Sequence, residues 1–139
     1  MVAKKKIIEL WFRMWLQQQD LGIKDIFDKN AIYIESWGPC YHGRAKIKHW
    51  FEEWNSRGQV LVWDIKRYWH QDNQTIVEWY FQSSMNNGRR EAFDGLSLIE
   101  WTTAGQIGLL KEFGCNINNY DPYQDGPTPH FKDEKILWF

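Results

Sequence analysis

The sequence lacks the motifs that would bind a cofactor. It contains only two cysteines, Cys40 and Cys115, and their separation fits neither a metal-binding spacing nor a CxxC motif. It also has no Gly-rich phosphate loop, no metal-spaced set of His and Cys, and no nucleophile elbow. We therefore expect no cofactor and no metal, and we expect two reduced thiols in a cytoplasmic protein.

The sequence also lacks an excess of either charge and a long apolar run. Its 17 basic and 18 acidic residues give a net charge of −1, and no basic stripe extends beyond Lys4-Lys5-Lys6. Nucleic-acid binding needs concentrated positive charge. No stretch approaches the roughly 18 apolar residues of a membrane span. Glu9 and Arg13 interrupt the signal-peptide-like segment over residues 4–16. We therefore expect neither nucleic acid nor a membrane as a partner.

Aromatic residues, in contrast, are abundant. Ten Trp, six Tyr and eight Phe make up 17% of the chain. Aromatic side chains dominate burial in cores and interfaces, so this abundance favours a bulky core with a subunit interface over an aromatic cage around a ligand. A chain of 139 residues is long enough for one domain that buries roughly two thirds of its unfolded surface.

Apolar residues at helical spacing predict the helices. The first helix covers residues 4–20 and ends before Gly22, and a short second helix covers Ile23–Asp28. A strand over Ala31–Ser36 and a Gly- and Pro-containing loop over residues 37–43 lead to a helix over Arg44–Ser56. The apolar stripes are Ile7, Leu10, Trp11, Met14 and Trp15 in the first helix and Ile47, Trp50, Phe51 and Trp54 in the last.

From Val60 onward the apolar period changes from 3.6 to 2, which predicts a long antiparallel sheet. Helices followed by such a meander are typical of an α+β domain, here residues 1–115. The extension over residues 116–139 contains three prolines but ends in Ile-Leu-Trp-Phe, so we expect it to be docked. The predicted strands are Val60–His70, Thr75–Met85, Arg89–Trp101 and Gln106–Cys115.

Turn lengths predict which strand residues lie opposite each other and so share a sheet face. A two-residue turn at Asp72-Asn73 places Arg67 opposite Glu78. Asn-Gly is the strongest short hairpin signal, so Asn87-Gly88 is expected to form a second two-residue turn. An even-length turn around Gly105 would add Leu110 and Glu112 to the same face. The two-residue turn at Asn87-Gly88 predicts that Glu78 pairs with Ser97 and that Tyr80 pairs with Gly95.

The face carrying Glu78 is therefore predicted to hold a mainly apolar pocket with polar groups near its middle. If the protein is an enzyme, we predict that Glu78 is the base, oriented by Arg67, with Tyr80 and Ser97 as hydrogen-bond donors. The alternative is that Arg67 and Glu78 form a purely structural ion pair. Glu35 is a further catalytic candidate, and the remaining ligand-binding candidates are Trp63, Tyr41, His42, Trp54 and Glu112.

Some candidates have simpler interpretations, and the opposite sheet face is also informative. Glu35 can be a solvated strand end, and His42 can be a surface histidine in its loop. The opposite face is predicted to be apolar as well, through residues such as Leu96, Leu98 and Phe113. Helices can cover one face, and a second copy most naturally covers the other, so we expect a homodimer through the outer sheet face.

Four segments resemble the nuclear transport factor 2-like superfamily, in its SnoaL-like branch of polyketide cyclases and ketosteroid isomerase-like proteins. The resemblance implies a cone-shaped, curved antiparallel sheet wrapped around N-terminal helices (a cystatin-like fold), a pocket between sheet and helices, and frequently a homodimer. The segments are F-D-K-N-A-I-Y-I-E-S (27–36), H-G-R-A-K-I-K-H-W-F (42–51), F-D-G-L-S-L-I-E-W (93–101) and G-Q-I-G-L-L-K-E-F (105–113).

The resemblance also implies roles for particular positions. The general base of isomerase-like members falls at Glu35 or Ser36, and their protonated Asp falls at Ser97, where a serine can donate a hydrogen bond but lacks an acid of raised pKa. Epoxide-hydrolase-like members bracket an arginine with two carboxylates, which Arg67 with Glu78 and Glu112 would imitate.

Our leading interpretation is a small-molecule-binding SnoaL-like protein that acts, if it is an enzyme, as an acid–base isomerase, cyclase or hydrolase on a hydrophobic substrate. The superfamily hosts several activities on one fold, so the fold alone does not select among them. The alternative is a non-catalytic ligand-binding or protein-interaction module.

Overall fold

The computed structural model describes residues 2–132. These residues form three helices, all before the four-stranded meander in the chain, and a six-stranded sheet. The C-terminal Ile-Leu-Trp-Phe lies outside the described residues, so its docking stays a prediction. None of the described helices is long and apolar enough to cross a membrane. The elements are α1 (Val2–Gln17), α2 (Ile23–Ile26), β1 (Phe27–Ile34), β2 (Cys40–His42), α3 (Arg44–Arg57), β3 (Gly58–Gln71), β4 (Gln74–Met85), β5 (Arg90–Trp101) and β6 (Ile107–Cys115).

The sheet order is β2-β1-β6-β5-β4-β3, and the only parallel pairing between the described strands joins β1 to β6. The predicted α+β class and the four-stranded meander are confirmed. Residues 40–42 were predicted to lie in a loop, but they form a short strand that pairs with β1 through Tyr33 and Tyr41. Because β1 pairs with β6, the first strand of the chain lies beside the last.

The hairpin of β3 and β4 has the predicted turn, but a register shift in β3 reverses which face the residues immediately before Arg67 lie on. Arg67 pairs with Glu78, as predicted, around the turn at Asp72-Asn73. A register shift between Ile65 and Arg67 then pairs Trp63 with Phe81. Because one extra residue in a strand moves the following side chains to the other face, Trp63 does not share the face of Arg67 and Glu78.

The second turn has three residues instead of the predicted two. The backbone N–H of Met85 donates to the carbonyl of Arg89 at 2.8 Å across residues 86–88. Gly88 has a positive φ of 90°, but Asn87 does not, so the turn is not of type I′. The predicted pairs of Glu78 with Ser97 and of Tyr80 with Gly95 are therefore wrong. The observed pairs are Val77 with Ser97, Glu78 with Leu96, Trp79 with Gly95 and Tyr80 with Asp94.

The sheet thus has an inner face toward the helices and an outer face away from them. Leu110 and Glu112 share the face of Ser97 and Ile99, as predicted, because Ser97 pairs with Glu112 and Ile99 with Leu110. The turn around Gly105 is not of even length, since the Thr102 N–H donates to the carbonyl of Gln106 across residues 103–105, and a register shift between Glu100 and Trp101 offsets the extra residue. The inner face includes Val77, Trp79, Ser97, Ile99, Leu110 and Glu112, and the outer face includes Glu78, Tyr80, Leu96, Leu98, Lys111 and Phe113.

Aromatic rings fill the space between the inner face and the helices. Trp11 of α1 is fully buried and contacts Phe27 at 4.8 Å and Tyr33 at 5.8 Å between ring centroids. Phe12 stacks on Trp63 of β3 at 3.9 Å. These contacts bury large apolar areas and hold α1 against β1 on one side of the sheet and against the edge strand β3 on the other.

We predict that Gly95→Ala destabilises the protein by about 1–3 kcal/mol through overpacking. A Cβ at Gly95 would collide with the Trp79 ring and lie 2.7 Å from the carbonyl oxygen of Phe113. Gly114, its partner on β6, is the matched control, because a Cβ there would lie 3.5 Å from its nearest neighbours. Urea denaturation measures both variants. Equal stability of Gly95→Ala and Gly114→Ala would contradict the close packing of Trp79 on Gly95.

Candidate functional site

A cavity of about 690 Å³ lies between the inner face, α3 and the segment after β1. This volume lies within the range of small-molecule sites. Its walls are mainly large aromatic rings contributed by α1, α3, β3 and β4, which the alternation of the strands and the apolar stripes of the helices turn inward. The principal wall residues are Trp15, Trp50, Trp54, Trp63, Trp79 and Phe81.

Neighbouring rings of the wall are steeply inclined to one another. The ring planes of Trp15 and Trp50 meet at 56°, and those of Trp15 and Trp54 at 73°. Trp63 and Trp79 meet at 89°. These tryptophan rings therefore do not stack flat on one another.

Glu112 of β6 lies on the floor of this cavity and is held by a hydrogen-bonded chain. The hydroxyl of Tyr33 donates to Glu112 Oε2 at 2.8 Å, and the indole Nε1 of Trp11 donates to the Tyr33 hydroxyl at 3.4 Å. The pKa of Glu112 is raised to about 8, chiefly by burial and to a smaller extent by the charge of Glu35, while the hydrogen bond from Tyr33 lowers it. Glu112 is therefore mostly protonated at neutral pH.

Glu35 lies beside Glu112. It follows Ile34, the β1 residue that pairs with Lys111 of β6, so the next position along both strands brings the two glutamates together. The hydroxyl of Tyr41 donates to Glu35 Oε2 at 2.7 Å. Burial raises the pKa of Glu35, and hydrogen bonds from Tyr41 and Trp37 oppose this rise.

The mouth of the cavity carries charges that are already paired. Arg57 Nη2 lies 3.2 Å from Glu53 Oε1, and Arg89 forms an ion pair with Glu91. Among residues 2–132, no Lys, Arg or His forms an ion pair with Glu35 or Glu112. Positive charge at the site is thus confined to the rim, where it is compensated.

Five of the predicted site residues line the cavity, namely Glu35, Tyr41, Trp54, Trp63 and Glu112. Ser97 is on the inner face but lies beneath the wall, where its Oγ accepts a hydrogen bond from Trp79 Nε1 at 2.9 Å. It therefore does not line the cavity.

The other predicted site residues lie outside the cavity. Arg67 and Glu78 form an ion pair of 2.7 Å on the outer face, which is the structural alternative given above, and Tyr80 lies on the same face. His42 is exposed on β2, with its Nε2 3.5 Å from Cys40 Sγ. The geometric basis for Glu78 as base, its position opposite Ser97, is absent.

Tyr33, the residue that holds Glu112, was not among the predicted site residues. The sequence contains a signal for it, since alternation along β1 puts Tyr33 on the same face as Glu35. The rim residues Arg57, Arg89 and Glu91 were also missed. Their approach to the cavity depends on the three-residue turn after β4 and on where α3 ends.

Comparisons with known proteins agree with this fold. The family model of the SnoaL-like domain matches residues 8–108. Similar solved structures include an NTF2-like protein from Burkholderia pseudomallei (TM-score 0.70, 8% identity, 83% of this chain and 92% of that chain). A candidate polyketide cyclase from Xanthomonas campestris has a TM-score of 0.69 at 14% identity, and the match covers 83% of this chain and 91% of that chain. An LEH-like epoxide hydrolase from M. tuberculosis has a TM-score of 0.72 at 11% identity, and the match covers 82% of this chain and 84% of that chain. No curated protein matches the sequence. At these identities the structural similarities show the fold alone.

We predict that Glu112→Gln changes how stability depends on pH. The folded-state pKa of Glu112, about 8, exceeds its ordinary value of 4.5, so the stability it contributes is complete below about pH 4.5 and is lost as the pH rises through 8. Relative to Glu112→Gln, the wild type should lose up to about 1.4 kcal/mol per pH unit between pH 5 and 8.

Urea denaturation at several pH values measures this difference. Exposed Glu52 on α3 provides the matched control variant, Glu52→Gln, which should follow the wild type. Parallel curves for the wild type and Glu112→Gln would refute the raised pKa.

Proposed function

This chain belongs to the SnoaL-like domain family, and we propose that it binds a hydrophobic small molecule in the cavity, where Glu35 and Glu112 exchange protons with it. One observation carries the proposal. A cavity of about 690 Å³ with aromatic walls contains two adjacent carboxyl groups, each fixed by a tyrosine hydroxyl. A mainly apolar pocket with a few convergent polar groups of shifted pKa is the usual form of a small-molecule site.

The two carboxyl groups have different roles in this proposal. Neighbouring carboxyls do not readily ionise together, and Glu112, with a pKa of about 8, keeps the proton. Since Tyr33 donates to Oε2, the proton of neutral Glu112 lies on Oε1, from which it can be donated to the ligand. Glu35 is the proton acceptor. Such a division between acid and base follows from environments that separate the pKa values of two groups.

The reaction class that this pair supports is acid–base catalysis on a hydrophobic substrate. Among the similar structures, one is named as a candidate polyketide cyclase and another as an LEH-like epoxide hydrolase, and positioned carboxyl groups can serve both kinds of reaction. Glu78 has no part in this proposal, because its carboxylate lies on the outer face against Arg67.

We predict that 2-naphthol, a neutral aromatic alcohol, binds with one molecule per chain and shifts the indole N–H signals of Trp50, Trp54 and Trp63 in ¹H–¹⁵N NMR spectra. Ser83→Trp should raise the Kd at least tenfold, since Ser83 is buried at the cavity wall and the added ring occupies ligand space. Ser84→Trp, on the opposite face, should leave the Kd unchanged. Binding that is insensitive to Ser83→Trp would place the ligand elsewhere.

We also propose that two copies associate through the outer face, in a cytoplasmic protein with the free thiols Cys40 and Cys115. The supporting observation is the exposure of large apolar side chains on this face, including Leu96 at 37% and Phe113 at 47%. The ion pairs Arg67–Glu78 and Lys66–Asp94 leave few uncompensated charges beside them. Contiguous exposed apolar surface of this kind is typical of interaction sites.

We predict that Leu96→Lys converts a dimer into a monomer, because the introduced charge would be buried at the interface without a partner. Light scattering after size-exclusion chromatography gives the mass of each variant. Gln17→Lys, which introduces the same charge at an exposed position of α1 away from the outer face, is the control and should stay dimeric. A wild-type monomer at all concentrations tested would refute the dimer.

A further inference from the structure

The charges that line the cavity are not balanced among themselves. At the rim, Arg57 and Arg89 are each compensated by a glutamate. In the interior, Glu35 and Glu112 receive hydrogen bonds from the neutral hydroxyls of Tyr41 and Tyr33, and no ion pair joins either of them to a cation within residues 2–132. Buried carboxylates are normally paired with a positive charge. Glu112 keeps its proton at neutral pH, so the carboxylate without a positive partner among the described residues is that of Glu35.

The aromatic walls around the two carboxyl groups also favour a positively charged ligand. The face of an aromatic ring is negative, and indole rings attract cations most strongly. The Trp50 ring contacts both tyrosines that hold the carboxyl groups. Its centroid lies 4.5 Å from that of Tyr41, on which it stacks, and 4.9 Å from that of Tyr33. Aromatic rings inclined around an acidic pair are a suitable environment for an organic ammonium group, and they disfavour an anion.

We infer that the ligand of this cavity is a hydrophobic organic cation, an amine or quaternary ammonium compound whose nitrogen lies between Glu35 and Glu112 and whose apolar part contacts the tryptophan walls. This inference rests on the proposed function and names its ligand class. A neutral ligand would leave Glu35 desolvated without a counter-charge, and an anion would be repelled by the Glu35 carboxylate.

Binding of such a cation is coupled to the proton on Glu112. The titratable and charged groups that line the cavity are Tyr33, Glu35, Tyr41, His49, Glu53, Arg57, Arg89, Glu91 and Glu112. With Glu53 and Glu91 engaged at the rim, the proton displaced at neutral pH is that of Glu112, whose pKa is about 8. A quaternary ammonium ion releases this proton to solvent, whereas a neutral amine accepts it and becomes the cation in place.

Three probes of similar size separate the effect of charge from that of shape. They are phenyltrimethylammonium, its uncharged carbon isostere tert-butylbenzene, and the anion benzenesulfonate. Titration of the full chain at pH 8, followed through the indole N–H signals of the cavity tryptophans, gives a Kd for each. We expect the cation to bind at least tenfold more tightly than the isostere, and the anion to bind most weakly.

Two substitutions test the carboxyl groups directly. Glu35→Gln and Glu112→Gln each retain an oxygen for the tyrosine hydroxyl, so both should fold. Each should weaken the cation at least tenfold while changing the Kd of tert-butylbenzene less than twofold. Glu52→Gln on the exposed side of α3 should change neither Kd, and dispersed NMR spectra confirm that each variant is folded.

The pH dependence supplies an independent readout. In the wild type, the Kd of phenyltrimethylammonium should fall about tenfold from pH 6 to pH 7 and become constant above the pKa of Glu112, about 8. Glu112→Gln should remove this dependence.

The outcomes distinguish the two proposals. If tert-butylbenzene binds as tightly as the cation, or if the anion binds most tightly, the inference is wrong and the cavity remains a small-molecule site. If none of the probes, 2-naphthol included, shifts the indole signals, the proposed function fails and the inference fails with it. A tenfold preference for the cation that both glutamine variants abolish supports the inference.

Discussion

The contact of Trp79 with Gly95 and Ser97 determines which side chains reach the cavity. The indole ring lies directly over Gly95, where no Cβ could be accommodated, and its Nε1 donates to Ser97 Oγ at 2.9 Å. With Trp79 on the inner face, strand pairing carries Ser97 and then Glu112 to the same face. The buried indole would otherwise lack a partner for its N–H, so packing and hydrogen bonding select the same register.

That register separates two kinds of electrostatic environment. On the outer face, Arg67 and Glu78 meet near solvent, and such exposed ion pairs contribute little to stability. On the inner face, Glu112 is enclosed by aromatic rings and tyrosine hydroxyls, and burial raises its pKa. A glutamate therefore forms an ion pair on the outer face of the sheet, whereas a glutamate on the inner face keeps its proton at neutral pH.

Much of the fold could be predicted from the sequence because its signals are local. Apolar periodicity located the helices and the meander, and the turn at Asp72-Asn73 gave the correct pairs around it. The face predicted for Leu110 and Glu112 is also right, because a register shift between Glu100 and Trp101 offsets the odd length of the turn around Gly105. The pairs between β4 and β5 could not be derived from Asn87-Gly88 alone, since the same dipeptide fits a three-residue turn. The register shift before Arg67 also has no local signal. One residue of error moved Glu78 to the wrong face, whereas Glu35, Tyr41 and Trp54, which do not depend on that turn, were placed at the cavity.

The parallel pairing of β1 with β6 has a consequence for the order of folding. Tyr33 and Glu112 are separated by 79 positions along the chain, and closing so long a loop has an entropic cost that must be met before its contacts are gained. The hairpins of the meander require only short loops. An assembly pathway that begins with these hairpins would therefore form the four strands β3 to β6 before β1 pairs with β6, and Glu35 and Glu112 would be among the last groups to be brought together.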